Sequence, residues 1–189
     1  MTNNNNRLFQ AALEVQDFFE FSGWKFVFIG GLAVIRWGEL RTTIDVDGTL
    51  WTEFIDDEKY INAILASFKS RITGALSFAI KSRMLLLFAS NGVSIDISLG
   101  GLQFELQMIE RSSLYEFESG YVLRTCSAED LIVLKAFADR DKDWIDVRSI
   151  LLRQKGKLDL QYINENLSTI SELKESPNIM TKLHKYLEN

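Results

Sequence analysis

The fold class predicted here is α/β (α+β), a mixed β-sheet flanked by helices in residues 1–120 and a helical C-terminal lobe over 121–189 packed on that core. Three observations predict it. Short apolar runs rich in aromatic and β-branched residues, such as WKFVFI and RMLLLFA, alternate with helically spaced segments through the first two thirds. From Ser127 onward the apolar residues follow helical spacing. No Pro/Gly-rich linker separates the two parts, so the lobe is expected to pack against the core.

Taken in order, Leu8, Ala11, Ala12, Val15, Phe18 and Phe19 recur at spacings of three and four, predicting a helix over 8–21 that Gly23 ends. Residues 24–29 read as a buried strand stopping at Gly30-Gly31, and a helix over 32–37 begins at that turn. In the strand over 42–51, Ile44 and Val46 point to one face while Asp45 and Asp47 point to the other. Residues 56–71 have helical spacing and open with Asp56, Asp57 and Glu58, which suit a helix N-terminus. Strands follow at 84–88 and 93–99, joined by Ser90-Asn91-Gly92, and the second carries Asp96. Ser127 caps a helix running to about Asp139, and further helices are expected at 144–153, 160–167 and 178–187.

Composition narrows the function. The 189 residues are 47% hydrophobic and 25% charged, an ordinary globular balance. No apolar run approaches the roughly 20 residues of a membrane span, and MTNNNNRLFQ lacks a secretory pattern, so a cytoplasmic protein without a membrane partner is expected. Cys126 is the only cysteine and reads as a buried thiol; His184 is the only histidine and lies far from any acidic motif. A net charge of −5 argues against a uniformly basic nucleic-acid surface. The aromatic residues Trp24, Trp37, Trp51 and Trp144 are expected in the core rather than at an interface.

The chemistry lies in the acids. Two carboxylates two apart on a strand, joined by a third on another strand, offer hard oxygen ligands on one face for Mg²⁺ or Mn²⁺. That pattern suits two-metal phosphoryl transfer. Alternating acids also occur on exposed strand faces, so the upstream sequence matters. Gly30-Gly31 sits between a strand and a helix, where glycine lets backbone approach a phosphate and helix N–H groups point at an anion.

The segment FIGGLAV (28–34), then R-x-T at Arg41 and Thr43, then IDVD (44–47), resembles the glycine-pair and D-x-D signature of the polymerase-β-like nucleotidyltransferases. The I-D-I at Asp96 matches that superfamily's third carboxylate, and residues 127–147 resemble the abortive-infection (AbiEii-type) group, associated with bacterial and phage-defence toxins. Leu32 stands where many members have a glycine followed by serine. The resemblance implies metal binding by Asp45, Asp47 and Asp96, phosphate contacts at Gly30 and Gly31, Lys135 reaching the triphosphate, and Asp143 or Asp146 completing the site. It further implies a nucleoside triphosphate donor and an RNA or tRNA end as acceptor, while the acidic net charge and small size leave a small hydroxylated molecule or a protein side chain open as acceptor; an antitoxin encoded nearby is a further open partner. From the residues themselves, Lys135 and Arg140 could supply a cation to the γ-phosphate, and Arg41 could orient the glycine turn or Asp45. Against these stand an exposed helical lysine, salt bridging of Asp143 and Asp146 with Arg140, Lys142 or Arg148, and a structural Arg41.

Two rivals compete. DVDGTL at Asp45 and LLFASNG ending at Gly92 resemble haloacid-dehalogenase-type phosphatases, in which Asp45 would be the nucleophile, Asp47 the general acid and Ser90 a phosphoryl ligand. That reading needs an apolar strand immediately before Asp45, where the chain has Arg41-Thr42-Thr43-Ile44. The other rival is a non-catalytic binding module on the same fold; retention of three clustered acids argues against it.

Overall fold

The computed structural model describes residues 3–173 and 178–187, with side chains described from Asn6 to Glu172 and over 178–187. In chain order the elements are α1 (Asn3–Phe21), β1 (Phe26–Phe28), α2 (Gly30–Trp37), β2 (Asp45–Trp51), α3 (Asp57–Ser67), β3 (Lys69–Ser70), α4 (Ala75–Ser82), β4 (Met84–Phe88) and β5 (Ser94–Gly100). They continue with α5 (Gln103–Glu110), β6 (Ser113–Glu118), β7 (Tyr121–Thr125), α6 (Ala128–Ala138), α7 (Asp141–Arg153), α8 (Leu160–Leu173) and α9 (Asn178–Leu187). The chain forms two compact units: a sheet unit of Met1–Leu32 with Thr42–Cys126, and a helical unit of Ala33–Arg41 with Ser127–Asn189. Mixed sheet, flanking helices and helical C-terminal part are as the sequence predicts.

All seven strands of the sheet lie in the first unit, in the order β3-β4-β5-β2-β1-β7-β6. β2 is parallel to β5 and antiparallel to β1, and β4 is antiparallel to β5. Burial alternates as the pleat demands: Val46 and Leu50 on β2, and Ile95, Ile97 and Leu99 on β5, are buried, while Asp45, Asp47 and Asp96 are partly exposed. Ile44 departs from its expected place. It precedes the strand and is 73% exposed, because pairing begins only at Asp45. α1 lays Leu8, Ala11, Ala12, Val15 and Phe19 into the core, with Phe18 and Phe19 against Trp24. Of the four tryptophans only Trp144 is fully buried; Trp24, Trp37 and Trp51 are half-buried, and Trp51 donates its indole N–H to Glu53.

The single helix expected over 56–71 is broken. α3 stops at Ser67, Phe68 turns extended (φ −118°, ψ 139°), and Lys69 and Ser70 pair with Phe88 and Leu87 as an edge strand. Gly74, in the left-handed region, then starts α4, an element not expected from the sequence. α5 and β6 were likewise not expected. β6 is largely exposed along its length and so lacks the alternation that marks a half-buried strand.

In the helical unit, Ser127 caps α6 as expected, its hydroxyl accepting from the Asp130 amide at 3.1 Å. Residues 33–41 join this unit through α7. Ser149 accepts from the Glu39 amide, Gln154 donates to the Trp37 carbonyl at 3.0 Å, and Arg153 donates to the Gly38 carbonyl. A side chain at Gly38 would crowd the Ser149 hydroxyl, so glycine permits this close approach. Cys126 is fully buried, and His184 is exposed and bonded to Asn164.

Candidate functional site

The polar face of β2 and β5 is built by register. Asp45 lies opposite Ser94, Asp47 opposite Asp96, and Thr49 opposite Ser98, whose hydroxyl is 2.9 Å from that of Thr49. Because side chains two apart share a face, the parallel pairing of β2 with β5 sets Asp45, Asp47 and Asp96 on one surface. The expected acidic constellation is thus assembled within the sheet unit. Like charges opposite one another across strands cost stability, so this face carries a standing electrostatic load.

The glycine pair abuts it. Gly30 adopts φ +56° at the start of α2, and a side chain there would overlap the Asp47 carboxylate. One at Gly31 would overlap Thr43. Thr43 in turn donates to Asp45 Oδ1 at 3.1 Å, and the Ile29 amide donates to the Asp47 carbonyl at 3.0 Å. The absence of two Cβ atoms therefore lets the N-terminus of α2 sit directly against the acids, with the helix dipole's positive end facing them.

Arg71 supplies what the sequence reading missed. The β3 edge pairing carries the chain to Arg71, whose amide donates to the Leu86 carbonyl at 2.9 Å; Leu86 is the β4 neighbour of Asp96. From there Arg71 Nη2 donates to Asp96 Oδ1 in an ion pair, while its buried Nε has no partner. Read as the last residue of a helix, Arg71 gave no hint of this. The breaker at Gly74 and the β-branched Ile72-Thr73 were the available signals.

Burial pushes the Asp96 carboxyl above its ordinary value; Arg71 pulls it down, and the charge of Asp45 adds to the rise. The donor set is all oxygen, hard and anionic, which suits Mg²⁺ or Mn²⁺. As placed, no three acidic, histidine or cysteine side chains among the described residues converge as a ready-made clasp, and Asp96 is engaged by Arg71. The residues fit a divalent cation by chemistry and by strand register, with side-chain rotation needed to close on it.

The other expected residues form a separate cluster in the helical unit. Lys135, 8% exposed on α6, pairs with Asp143 at 3.1 Å and Asp146 at 2.8 Å, both on α7 and both buried. Arg140 forks onto Asp143, and Arg41 onto both oxygens of Asp146 at 2.8 and 3.0 Å. Arg41 thus reaches Asp146. Burial would push both carboxyls up, but the hydrogen bonds and charges of Arg140 and Lys135 on Asp143, and of Arg41 and Lys135 on Asp146, hold them below the usual range.

The phosphatase alternative loses its footing in this geometry. Asp45 is the first residue of β2, so the strand that reading requires before it is absent. Ser90 is tied to the Glu14 carboxylate, its hydroxyl at 2.7 Å.

Solved structures share this fold. A nucleotidyltransferase-like protein from Paracoccidioides brasiliensis superposes with a TM-score of 0.54 at 14% identity, over 96% of this chain and 94% of that one. The antibiotic-resistance factor ANT(2'')-Ia gives 0.56 at 13%, over 91% and 95%. The lincosamide antibiotic adenylyltransferase LnuA gives 0.50 at 15%, over 75% and 94%. No curated protein matches. Residues 6–187 match the family described as "Nucleotidyltransferase of unknown function (DUF6036)", and the chain belongs to that family. The superfamily expected from the glycine pair and D-x-D is thereby met. Among the described residues no helix is long and apolar enough to cross a membrane.

Proposed function

We propose that this chain is a metal-dependent nucleotidyltransferase, moving a nucleoside monophosphate from a nucleoside triphosphate to an acceptor hydroxyl. The observation that carries the reading is the side-by-side register of Asp47 with Asp96, with Asp45 two residues along the same face. These three carboxylates would hold Mg²⁺ or Mn²⁺, which neutralises phosphate charge and lowers the pKa of a bound hydroxyl. The Gly30-Gly31 turn approaches the phosphates with backbone donors. Thr43 holds Asp45 in place, and Asp96 orients the acceptor hydroxyl and takes its proton. The acceptor oxygen bonds to the α-phosphorus, the bond to the bridging oxygen breaks, and pyrophosphate leaves.

Lys135 would have to abandon two buried carboxylates to meet a triphosphate. We therefore read Lys135, Arg140, Arg41, Asp143 and Asp146 as the internal brace of the helical unit. The abortive-infection resemblance of residues 127–147 favours an RNA or tRNA end as acceptor, in a cytoplasmic toxin with an antitoxin encoded nearby. A net charge of −5 favours a second reading, a small hydroxylated acceptor of the kind the ANT(2'')-Ia complex with adenylyl-2"-tobramycin exemplifies for that protein.

The test is a thermal-shift titration with ATP, GTP, CTP and UTP, with and without Mg²⁺, beside the Asp45→Asn/Asp47→Asn variant. A metal-dependent stabilisation by one nucleotide, lost in the variant, supports the reading and names the donor. Transfer of the α-labelled nucleotide to bulk tRNA or to an aminoglycoside panel then separates the two acceptors. No shift and no transfer under any condition would sink the reading in favour of a non-catalytic module.

A further inference from the structure

The helical unit contains a cavity of about 350 Å³. Leu151 on α7, Leu158 in the following turn, and Tyr186 and Leu187 at the end of α9 give it apolar walls. Two features keep it open and shaped. Tyr186 is pinned by stacking on the buried Trp144, with ring centroids 5.3 Å apart and planes within 9°. Gly156, at φ +77°, turns the chain after α7 and has open space where a side chain would begin.

Among the described residues the charge around it is one-sided: Arg148 and Lys155 line the cavity, and no described acidic side chain does. Neither cation makes an ion pair or hydrogen bond to another described residue, in a chain whose net charge is −5. A concave apolar pocket within the size range of small-ligand sites, rimmed by two uncommitted cations, has the complement of a molecule with an apolar body and an anionic end.

We propose that this cavity binds a small organic anion with an aryl or branched acyl body, its carboxylate, sulfonate or phosphate meeting Arg148 and Lys155. The site stands on the helical unit alone and does not rest on the nucleotidyl-transfer reading.

The test titrates the full chain with anilinonaphthalene sulfonate and with N-phenylnaphthylamine, the same aromatic body without the anion. Fluorescence should report one site for the sulfonate, bound at least about tenfold more tightly than the neutral probe. R148E/K155E should weaken the sulfonate by about tenfold or more while moving the neutral probe less than about twofold. The milder R148Q/K155Q should fall between, and R148K/K155R should restore binding; circular dichroism checks that each variant folds. Equal affinity for both probes, unchanged sulfonate binding in both charge variants, or no single-site binding by the wild type would overturn the proposal. The readout uses no nucleotide, so its failure leaves the transfer reading untouched, and Asp45→Asn/Asp47→Asn should bind the sulfonate as the wild type does.

Discussion

Asp47 and Asp96 are register partners on two parallel neighbouring strands, and Arg71 is the cation that answers the second of them. Two carboxylates held opposite each other raise the energy of the face they share, which is tolerable where a cation is meant to arrive.

Replacing Asp47 by Asn should therefore separate stability from activity. The change removes like-charge repulsion while keeping size and hydrogen-bonding capacity, so the metal-free protein should gain up to about 1 kcal/mol in urea unfolding. On the proposed reading nucleotidyl transfer should fall by about a thousandfold or more, because the cation that neutralises the phosphates would lose a carboxylate ligand. A destabilised Asp47→Asn with full turnover would contradict both halves.

Removing Arg71 should act on Asp96 first. Arg71 lowers the Asp96 carboxyl against the upward push of burial and Asp45. In the metal-free protein Arg71→Ala should move the Asp96 titration, followed by carbon NMR of the labelled carboxyl, to higher pH, and Arg71→Lys should restore part of the difference. An unmoved titration would show that the ion pair does not set the charge of Asp96.

Gly30→Ala should cost about 1–3 kcal/mol, since it combines a left-handed φ with overlap of the Asp47 carboxylate. Chemical denaturation measures the loss. Activity should drop in the fraction that remains folded, because Asp47 must shift to admit the methyl group.

The ion cluster of the helical unit should behave as structure. Lys135→Met leaves Asp143 and Asp146 buried with one cation fewer, and should destabilise by about 3–5 kcal/mol. Both carboxyls sit below their unfolded values, so their contribution is present above about pH 4. It is lost as pH falls through the folded values, because the unfolded chain then binds more protons. Equilibrium unfolding from pH 6 down to 2 should show this acid loss in the wild type and a much smaller one in Asp143→Asn/Asp146→Asn. A Lys135→Met variant of native stability would mark the lysine as free for a ligand.

Much of the molecule could be read in advance, and for a physical reason. Helix spacing at 8–21, the N-cap at Ser127, the strand over 84–88 and the alternation around Asp45 and Asp47 are local patterns, each set by backbone geometry within a few residues. The glycine pair and the three acids were legible because they stand along the chain in the order of a known family's motifs. What local pattern could not supply was pairing. The weak strand β3 exists because an edge partner holds Lys69 and Ser70 extended, and that pairing alone brings Arg71 onto Asp96. The same holds for Lys135, whose sequence neighbours suggested a substrate contact while α7 supplied two buried carboxylates for it. By itself the sequence determined the fold class, the shared face of Asp45 and Asp47 and the glycine turn, since these follow from spacing along one strand or one helix, whereas the pairing of β2 with β5 brought Asp96 beside them. Only the tertiary structure decided which cation answers which acid, because a long charged side chain is committed by the three-dimensional neighbours that desolvate it.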